Sequence, residues 1–235
     1  MRLDFVILCL GRTGSTHLQS LLDSHPDVRC YGELFTDVDL ATGHGDSRAQ
    51  TFIGSPHDDP LAYLSELTAG VEARAVGFKL PNNSLRAFPE AEHVLAHPGL
   101  KVVRLSRRNL LALLVSRRML AATGVPQSTH GSYGDAQIHI EPQRCLTAFR
   151  HMESDESRLD ELAAEHEVFR LTYEELVAGR GLDELQDFLG VEPRPLQSWF
   201  SQLRTRPLGE TIENWDEIST ALRGTRYEAF LTEAP

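Results

Sequence analysis

The stretch that decides the fold is residues 5–22, FVILCLGRTGSTHLQSLL, in which a continuous apolar run ends in a glycine-containing turn. Residues 5–10 include β-branched side chains and show no polar alternation, which is typical of a strand buried on both faces of a parallel sheet. Leu18, Leu21 and Leu22 then recur at helical spacing, so one face of the next segment points at that sheet. The stretch predicts a strand, a turn and a helix, in that order.

The turn itself, residues 11–14 with sequence GRTG, has the composition of an anion-binding loop. Its two glycines allow backbone conformations and close approaches that a Cβ would obstruct. Ser15 and Thr16 supply hydroxyl groups where the helix begins, and Arg12 adds a positive charge beside the free N–H groups of the first helical turn. An ordinary strand-to-helix turn has the same outline, but this combination of residues favours a phosphate site.

Two common nucleotide-binding patterns are missing from this turn. A triphosphatase P-loop has the pattern G-x-x-x-x-G-K-[ST], and no lysine follows Gly14. The Rossmann pattern G-x-G-x-x-G is absent as well, and the helix follows too soon for it. A different way of holding phosphate is therefore predicted.

A second candidate anion site lies in mid-chain, where residues 101–106, KVVRLS, predict a strand followed by an apolar helix. Asn109 can cap that helix, and Ser116 lies two turns up the same face, about 10 Å along the axis. Arg108, at the helix entrance, is long enough to share one phosphate with the Ser116 hydroxyl. Taken separately, Arg108 would suit a solvated charge and Ser116 a serine on the helix surface. The neighbouring arginines are interpreted as surface or salt-bridge residues: Arg104, Arg107, Arg117 and Arg118.

Together the two segments resemble sulfotransferases that use 3′-phosphoadenosine 5′-phosphosulfate (PAPS) and release 3′-phosphoadenosine 5′-phosphate (PAP). Residues 11–18, GRTGSTHL, resemble their 5′-phosphosulfate loop, and the eight-residue interval from Arg108 to Ser116 matches their 3′-phosphate pattern. Residues 173–176, YEEL, and 188–190, FLG, are similar to their C-terminal half. The resemblance spans nearly the whole chain, and it implies that the donor is bound by Arg12, Thr13, Gly14, Ser15, Thr16, His17, Arg108 and Ser116.

The resemblance also implies a catalytic base and a fixed charge near the reacting sulfur. Glu33, on the loop after the second predicted strand, is the expected base for the acceptor hydroxyl, with His130 in reserve; a salt bridge to an arginine is the alternative role for Glu33. Arg12 would stabilise charge on the bridging oxygen. Many cytosolic relatives have lysine there, whereas Arg12 can act only as a charge and hydrogen-bond donor. His17 stands where those relatives carry tryptophan.

Two further segments complete the predicted site. Lys79 ends the strand predicted for residues 73–80, at the sheet edge where ligands bind, so it is expected to touch the sulfonate or the acceptor unless it is simply solvated. Arg223 and Gly224 match a segment that closes over the 3′-phosphate in relatives, although the same pair commonly ends helices. Residues 36–59 and 125–140 are expected to be loops at the acceptor site.

Composition sets the outer limits. A chain of 235 residues with 41% hydrophobic content suits one α/β domain with a substantial core. The resemblance implies one sulfotransferase domain over residues 1–235, with a P-loop-type three-layer α/β fold and a mainly parallel sheet of about five strands flanked by helices. The formal charge of −11 argues against nucleic acid as a partner. No apolar run suits a transmembrane segment, residues 1–4 are too short for a signal peptide, and three cysteines without metal-ligand spacing favour a cytoplasmic, metal-free protein.

The predicted reaction is in-line transfer of a sulfonyl group from PAPS to a hydroxyl of a glycan, a glycolipid or a small alcohol. Two alternatives stay open. A P-loop kinase-like phosphotransferase would share the fold but need magnesium and a nucleoside triphosphate. A non-catalytic nucleotide-binding module would keep both phosphate loops without using a base.

Overall fold

The computed structural model describes residues 2–35, 59–125, 133–200 and 206–232. Within these ranges the strands are β1 Phe5–Cys9, β2 Val28–Glu33, β3 Ala75–Pro81, β4 Lys101–Ser106 and β5 Glu167–Thr172. The helices are α1 Ser15–Asp23, α2 Pro60–Leu67, α3 Asn82–Ala87, α4 Leu110–Thr123, α5 Pro142–Ala163, α6 Tyr173–Val177, α7 Leu182–Leu189, α8 Leu208–Thr211 and α9 Trp215–Leu222. Two 3₁₀ segments, Pro89–Ala96 and Glu228–Leu231, accompany them.

The five strands form one parallel sheet in the order β2-β3-β1-β4-β5. From the central strand β1 the chain first builds β2 and β3 on one side, and it then returns to build β4 and β5 on the other. The loops after β1 and β4 therefore leave in opposite directions, which opens a crevice between their carboxyl ends. Ligands of open α/β sheets bind at such a reversal of strand order.

Strand β1 separates two hydrophobic cores, as its unbroken apolar sequence predicts. All five of its residues are buried. Val6 and Leu8 face one core, whereas Ile7 faces the other and packs with Leu18 and Leu22 of α1. Helices therefore cover both faces of the sheet, and the predicted three-layer α/β class is confirmed.

Capping residues fix where the helices around the crevice begin and end. The Asn109 side chain accepts the N–H of Ala112 at 2.9 Å, which starts α4 as predicted. Gly124 and Gly190 end α4 and α7 in the left-handed conformation, also as predicted. Thr172 and Glu175 form a capping box that starts α6 directly after β5.

The segment after β3 differs from a simple strand-to-helix connection. Helix α3 begins at once, and a 3₁₀ segment follows it at Pro89. Proline cannot donate a backbone N–H, so the helix stops and a tighter turn begins.

Among the helices that the structure describes, none combines the length and apolar character needed to span a membrane.

Candidate active site

The loop between β1 and α1, residues 10–14, is here called the first loop. The Thr13 hydroxyl donates to the Leu10 carbonyl at 2.8 Å, and Thr13 is fully buried, which closes the loop on itself. Arg12 and Gly14 both have left-handed backbones, with φ of 74° and 85°. A Cβ at position 14 would also lie 2.7 Å from Cδ2 of Tyr173, so only glycine fits there.

The first loop presents backbone N–H groups to the crevice. The hydrogen-bond ladder of α1 begins with the N–H of Leu18, which donates to the Gly14 carbonyl at 3.0 Å. The N–H groups of Ser15, Thr16 and His17 therefore have no carbonyl one turn earlier. The first turn of α1 carries no acidic side chain. This helix end suits an anion, because free N–H groups and the helix dipole act together.

Two arginines bind the first loop from outside and hold its carbonyl groups. Arg107 donates to the Arg12 carbonyl and Arg117 to the Gly11 carbonyl, each at 3.4 Å. The Arg107 guanidinium also lies 4.1 Å from the ring centre of Tyr173, the side chain that packs against position 14. The sequence interpretation of Arg107 and Arg117 as surface or salt-bridge residues missed this supporting role. Arg107 and Arg117 are adjacent in sequence to Arg108 and Ser116, and this adjacency could have indicated that they belong to the site.

The Arg12 side chain connects the two predicted anion segments. Its Nε donates to the Ser116 hydroxyl at 3.2 Å, and a terminal nitrogen donates to the hydroxyl of Tyr133 at 2.8 Å. Tyr133 is buried. No spacing in the sequence pointed to Tyr133, because its contact depends on the path of the chain between α4 and α5.

The start of α4, residues 107–109, is here called the second loop. The Arg108 side chain is 58% exposed, and its Nε lies 3.6 Å from a carboxylate oxygen of Glu174. The same carboxylate accepts the backbone N–H groups of Arg108 and Asn109, each at 3.2 Å. Arg108 and Ser116 thus contact different partners in the structure, and their joint hold on one phosphate stays a prediction.

Glu33 and Lys79 meet at the carboxyl ends of β2 and β3, which pair in register at these two residues. The Lys79 ammonium lies 3.2 Å from a carboxylate oxygen of Glu33 and donates to the Thr16 hydroxyl at 2.9 Å. Lys79 is 2% exposed, so it is not a solvated lysine, whereas the Glu33 side chain is 31% exposed. Among the described residues, Glu33 thus forms its ion pair with Lys79, and its role as catalytic base stays a prediction.

Three further predicted residues are described by the structure, namely His17, Arg223 and Gly224. His17 Nδ1 is 2.9 Å from the Ser198 hydroxyl, and burial lowers the pKa of His17 below its usual range. Arg223 follows α9, and the N–H of Gly224 donates to Glu228 at 3.0 Å. The donor-binding role of Arg223 and Gly224 stays a prediction. His130 lies outside the described residues.

The C-terminal 3₁₀ segment reaches the second loop. The Asn109 side chain donates to the carbonyl of Phe230 at 3.0 Å, so the chain after Gly224 lies against the start of α4.

Across the part of the chain that the structure describes, no group of three or more His, Cys, Asp or Glu side chains forms a candidate metal site.

Sequence comparisons agree with this geometry. Residues 4–59 match the model of the Sulfotransferase family. The chain is 24% identical over 235 residues to Nodulation protein H of Rhizobium meliloti, covering 96% of this chain and 94% of that protein. Nodulation protein H of Rhizobium tropici is 24% identical over 238 residues, covering 96% and 92%.

Solved structures with the same fold include two sulfotransferases. The sulfotransferase from Alicyclobacillus acidocaldarius superimposes with a TM-score of 0.53 at 18% identity, covering 100% of this chain and 98% of that one. The sulfotransferase domain from the curacin biosynthetic pathway gives the same TM-score and identity, covering 98% and 89%. The architecture is thus the α/β fold of sulfotransferases. Together with the sequence matches, this fold confirms the predicted resemblance to sulfotransferases.

Proposed function

We propose that this chain, as one domain over residues 1–235, transfers a sulfonyl group from PAPS to a hydroxyl group. The observation that carries the proposal is the position of Glu33, a carboxylate joined through Lys79 to Thr16 of the phosphate-binding helix end. In this arrangement a proton acceptor, Glu33, is separated from the candidate anion site by the Lys79 side chain alone, which contacts both. A hydroxyl that attacks a sulfur held at that site would lose its proton to Glu33.

The first loop would hold the end of the donor that reacts. Backbone N–H groups of residues 13–17 would bind the 5′-phosphate and the sulfonate, as the free N–H groups at the start of α1 suit an anion. Arg12, with its charge fixed by Ser116 and Tyr133, would stabilise the negative charge that develops on the bridging oxygen. No proton leaves Arg12, because guanidinium stays charged in proteins.

The second loop would hold the 3′-phosphate of the donor. Arg108 is half exposed at the helix start, beside the crevice that the strand order creates. Ser116 and the segment at Arg223 and Gly224 complete this proposed subsite. Arg108 would exchange its long 3.6 Å contact with Glu174 for a charge-assisted hydrogen bond to phosphate.

The acceptor is proposed to be a glycan, a glycolipid or a small alcohol, used by a cytoplasmic enzyme. The site favours catalysis over a non-catalytic module, because a binding module has no use for a carboxylate placed beside the anion site. It favours PAPS over a nucleoside triphosphate, because no lysine follows Gly14 and residues 11–14 do not have the P-loop spacing.

Calorimetric titration with PAP, and separately with ATP and magnesium, tests the donor. We expect saturable binding of PAP and none of ATP. Binding of ATP with magnesium in place of PAP would overturn the proposal and support the kinase alternative.

The second measurement is release of PAP from radiolabelled PAPS with a mixture of glycans and small alcohols as acceptors. Glu33→Gln should lower this turnover about 10²- to 10⁴-fold while the affinity for PAP stays the same, because an amide cannot accept the proton of the hydroxyl. Glu184→Gln, on the exposed face of α7, is the matched control. Unchanged turnover in Glu33→Gln would exclude Glu33 as the base.

A further inference from the structure

Lysine is rare in this chain, and the one in the site is almost completely buried. Of the 23 basic residues that are Lys or Arg, only Lys79 and Lys101 are lysines. Lys79 is 2% exposed on the inner strand β3, where an ammonium is costly unless it is paired. Its contacts are with the two working parts of the proposed site, the carboxylate of Glu33 and the hydroxyl of Thr16.

A proton delivered to the end of the donor that leaves would assist the proposed reaction. When the bond between sulfur and the bridging oxygen breaks, its electron pair stays on that oxygen, which becomes part of a phosphate. Arg12 can offer this oxygen a hydrogen bond and a charge but cannot transfer a proton. An ammonium can do both, and lysine is the basic residue that serves as an acid or a base in catalysis.

We infer that Lys79 is the proton donor to the leaving phosphate and that Glu33 returns the proton to it, an inference that rests on the proposed function. Glu33 takes the proton of the acceptor hydroxyl as its oxygen bonds to sulfur. Lys79 gives one proton to the bridging oxygen as the bond from sulfur to that oxygen breaks. The neutral amine then recovers a proton from the Glu33 carboxyl group 3.2 Å away. The products are a sulfate ester and PAP that carries the former proton of the acceptor.

The charges of the pair favour this order of events. While Lys79 is charged, its ammonium pairs with the Glu33 carboxylate 3.2 Å away. Loss of the Lys79 proton removes that positive charge and leaves a neutral amine, which accepts a proton from Glu33. Proton uptake by Glu33 is thereby coupled to departure of the phosphate. Thr16, in the first turn of α1, keeps the ammonium at the phosphate end of the path.

The substitution Lys79→Arg tests the inference, because it keeps the positive charge and the donors but removes the transferable proton. We expect its turnover of PAPS to fall about 10²- to 10⁴-fold, to the level of Lys79→Met, with PAP affinity within about threefold of wild type. Lys101→Arg is the matched control, since it makes the same change on the neighbouring strand β4, where the ammonium donates to the carbonyl of Phe188. It should retain wild-type turnover.

Chemical rescue gives a second, independent measurement if arginine does not fit at position 79. The shortened side chain of Lys79→Ala leaves room for a small amine, and methylamine or ethylamine should restore turnover in a concentration-dependent way, whereas guanidine should not. Wild-type turnover in Lys79→Arg, loss of PAP binding in that variant, or rescue by guanidine would each overturn the inference. Failure of the wild-type protein to bind PAP would instead overturn the proposed function.

Discussion

The first and second loops occupy neighbouring positions at the same sheet edge, yet they are built from different parts of the chain. In the first loop the groups offered to a ligand are backbone N–H groups, fixed by a buried threonine and two left-handed residues. In the second loop the offered group is one arginine side chain, more than half exposed and loosely paired with Glu174. A site made of backbone is rigid and depends on shape, whereas a site made of a side chain is adjustable and depends on charge.

The substitution Gly14→Ala should have the largest effect, because it disturbs the backbone conformation of the first loop. The left-handed backbone costs an alanine about 1–2 kcal/mol, and its Cβ would collide with the ring of Tyr173. We expect PAP affinity to fall more than about 100-fold, measured by calorimetry, with a lower midpoint of thermal unfolding.

The control for this substitution is Gly70→Ala. Gly70 has φ of 75°, but a Cβ there would meet nothing within 4 Å. It should pay the backbone cost in stability and keep full affinity for PAP. Equal losses of affinity in the two variants would contradict the shape-dependent first loop.

The substitution Arg108→Ala should have an intermediate effect, because it removes charge from the second loop and leaves its backbone unchanged. A charge-assisted hydrogen bond contributes about 1.5–3 kcal/mol, so PAP should bind about 10- to 100-fold more weakly. Adenosine 5′-phosphate, which lacks the 3′-phosphate, should bind as it does to wild type. Arg118→Ala, an exposed arginine of α4, should change neither affinity. An equal loss for both nucleotides would remove Arg108 from the 3′-phosphate site.

The smallest effect is expected from His17→Gln, at a half-buried position in the first turn of α1. Burial lowers the pKa of folded His17 below the unfolded value of 6.5. Below about pH 6.5 the unfolded chain binds a proton at His17 more readily than the folded chain does, so protonation of this residue lowers the free energy of unfolding as the pH falls. Urea unfolding at about pH 7.5 and about pH 5.5 should show a smaller loss of stability on acidification in His17→Gln than in wild type. His93→Gln, an exposed histidine, should behave as wild type.

Local sequence patterns predicted the elements around the crevice well. The apolar run of β1 identified a strand buried on both faces, and Asn109, Gly124 and Gly190 marked helix ends that the structure contains. These features depend on residues within one or two turns of one another, so a sequence can reveal them. The parallel sheet of five strands agrees with what the resemblance to sulfotransferases implied.

Contacts between distant segments were less predictable. Arg12 and Ser116 belonged to two separately predicted sites, and only the folded sheet shows that they touch. Tyr133 had no periodic pattern to mark it. Lys79 was predicted at the site, but its burial and its double contact depend on the register between β2 and β3. The sequence indicated candidate functional residues, whereas which of them contact one another depends on the topology of the folded chain.

The position of β2 has a consequence for how proteins of this fold can diversify. This strand lies at the margin of the sheet, pairs only with β3 among the described strands, and has an irregular register between Tyr31 and Glu33. Displacing a strand that is bonded along one side disturbs fewer hydrogen bonds than displacing a central one. Under the proposed function, natural variation can therefore move the Glu33 carboxylate while the proposed donor-binding segments after β1 and β4 stay in place, so that new acceptors become accessible without rebuilding the donor half.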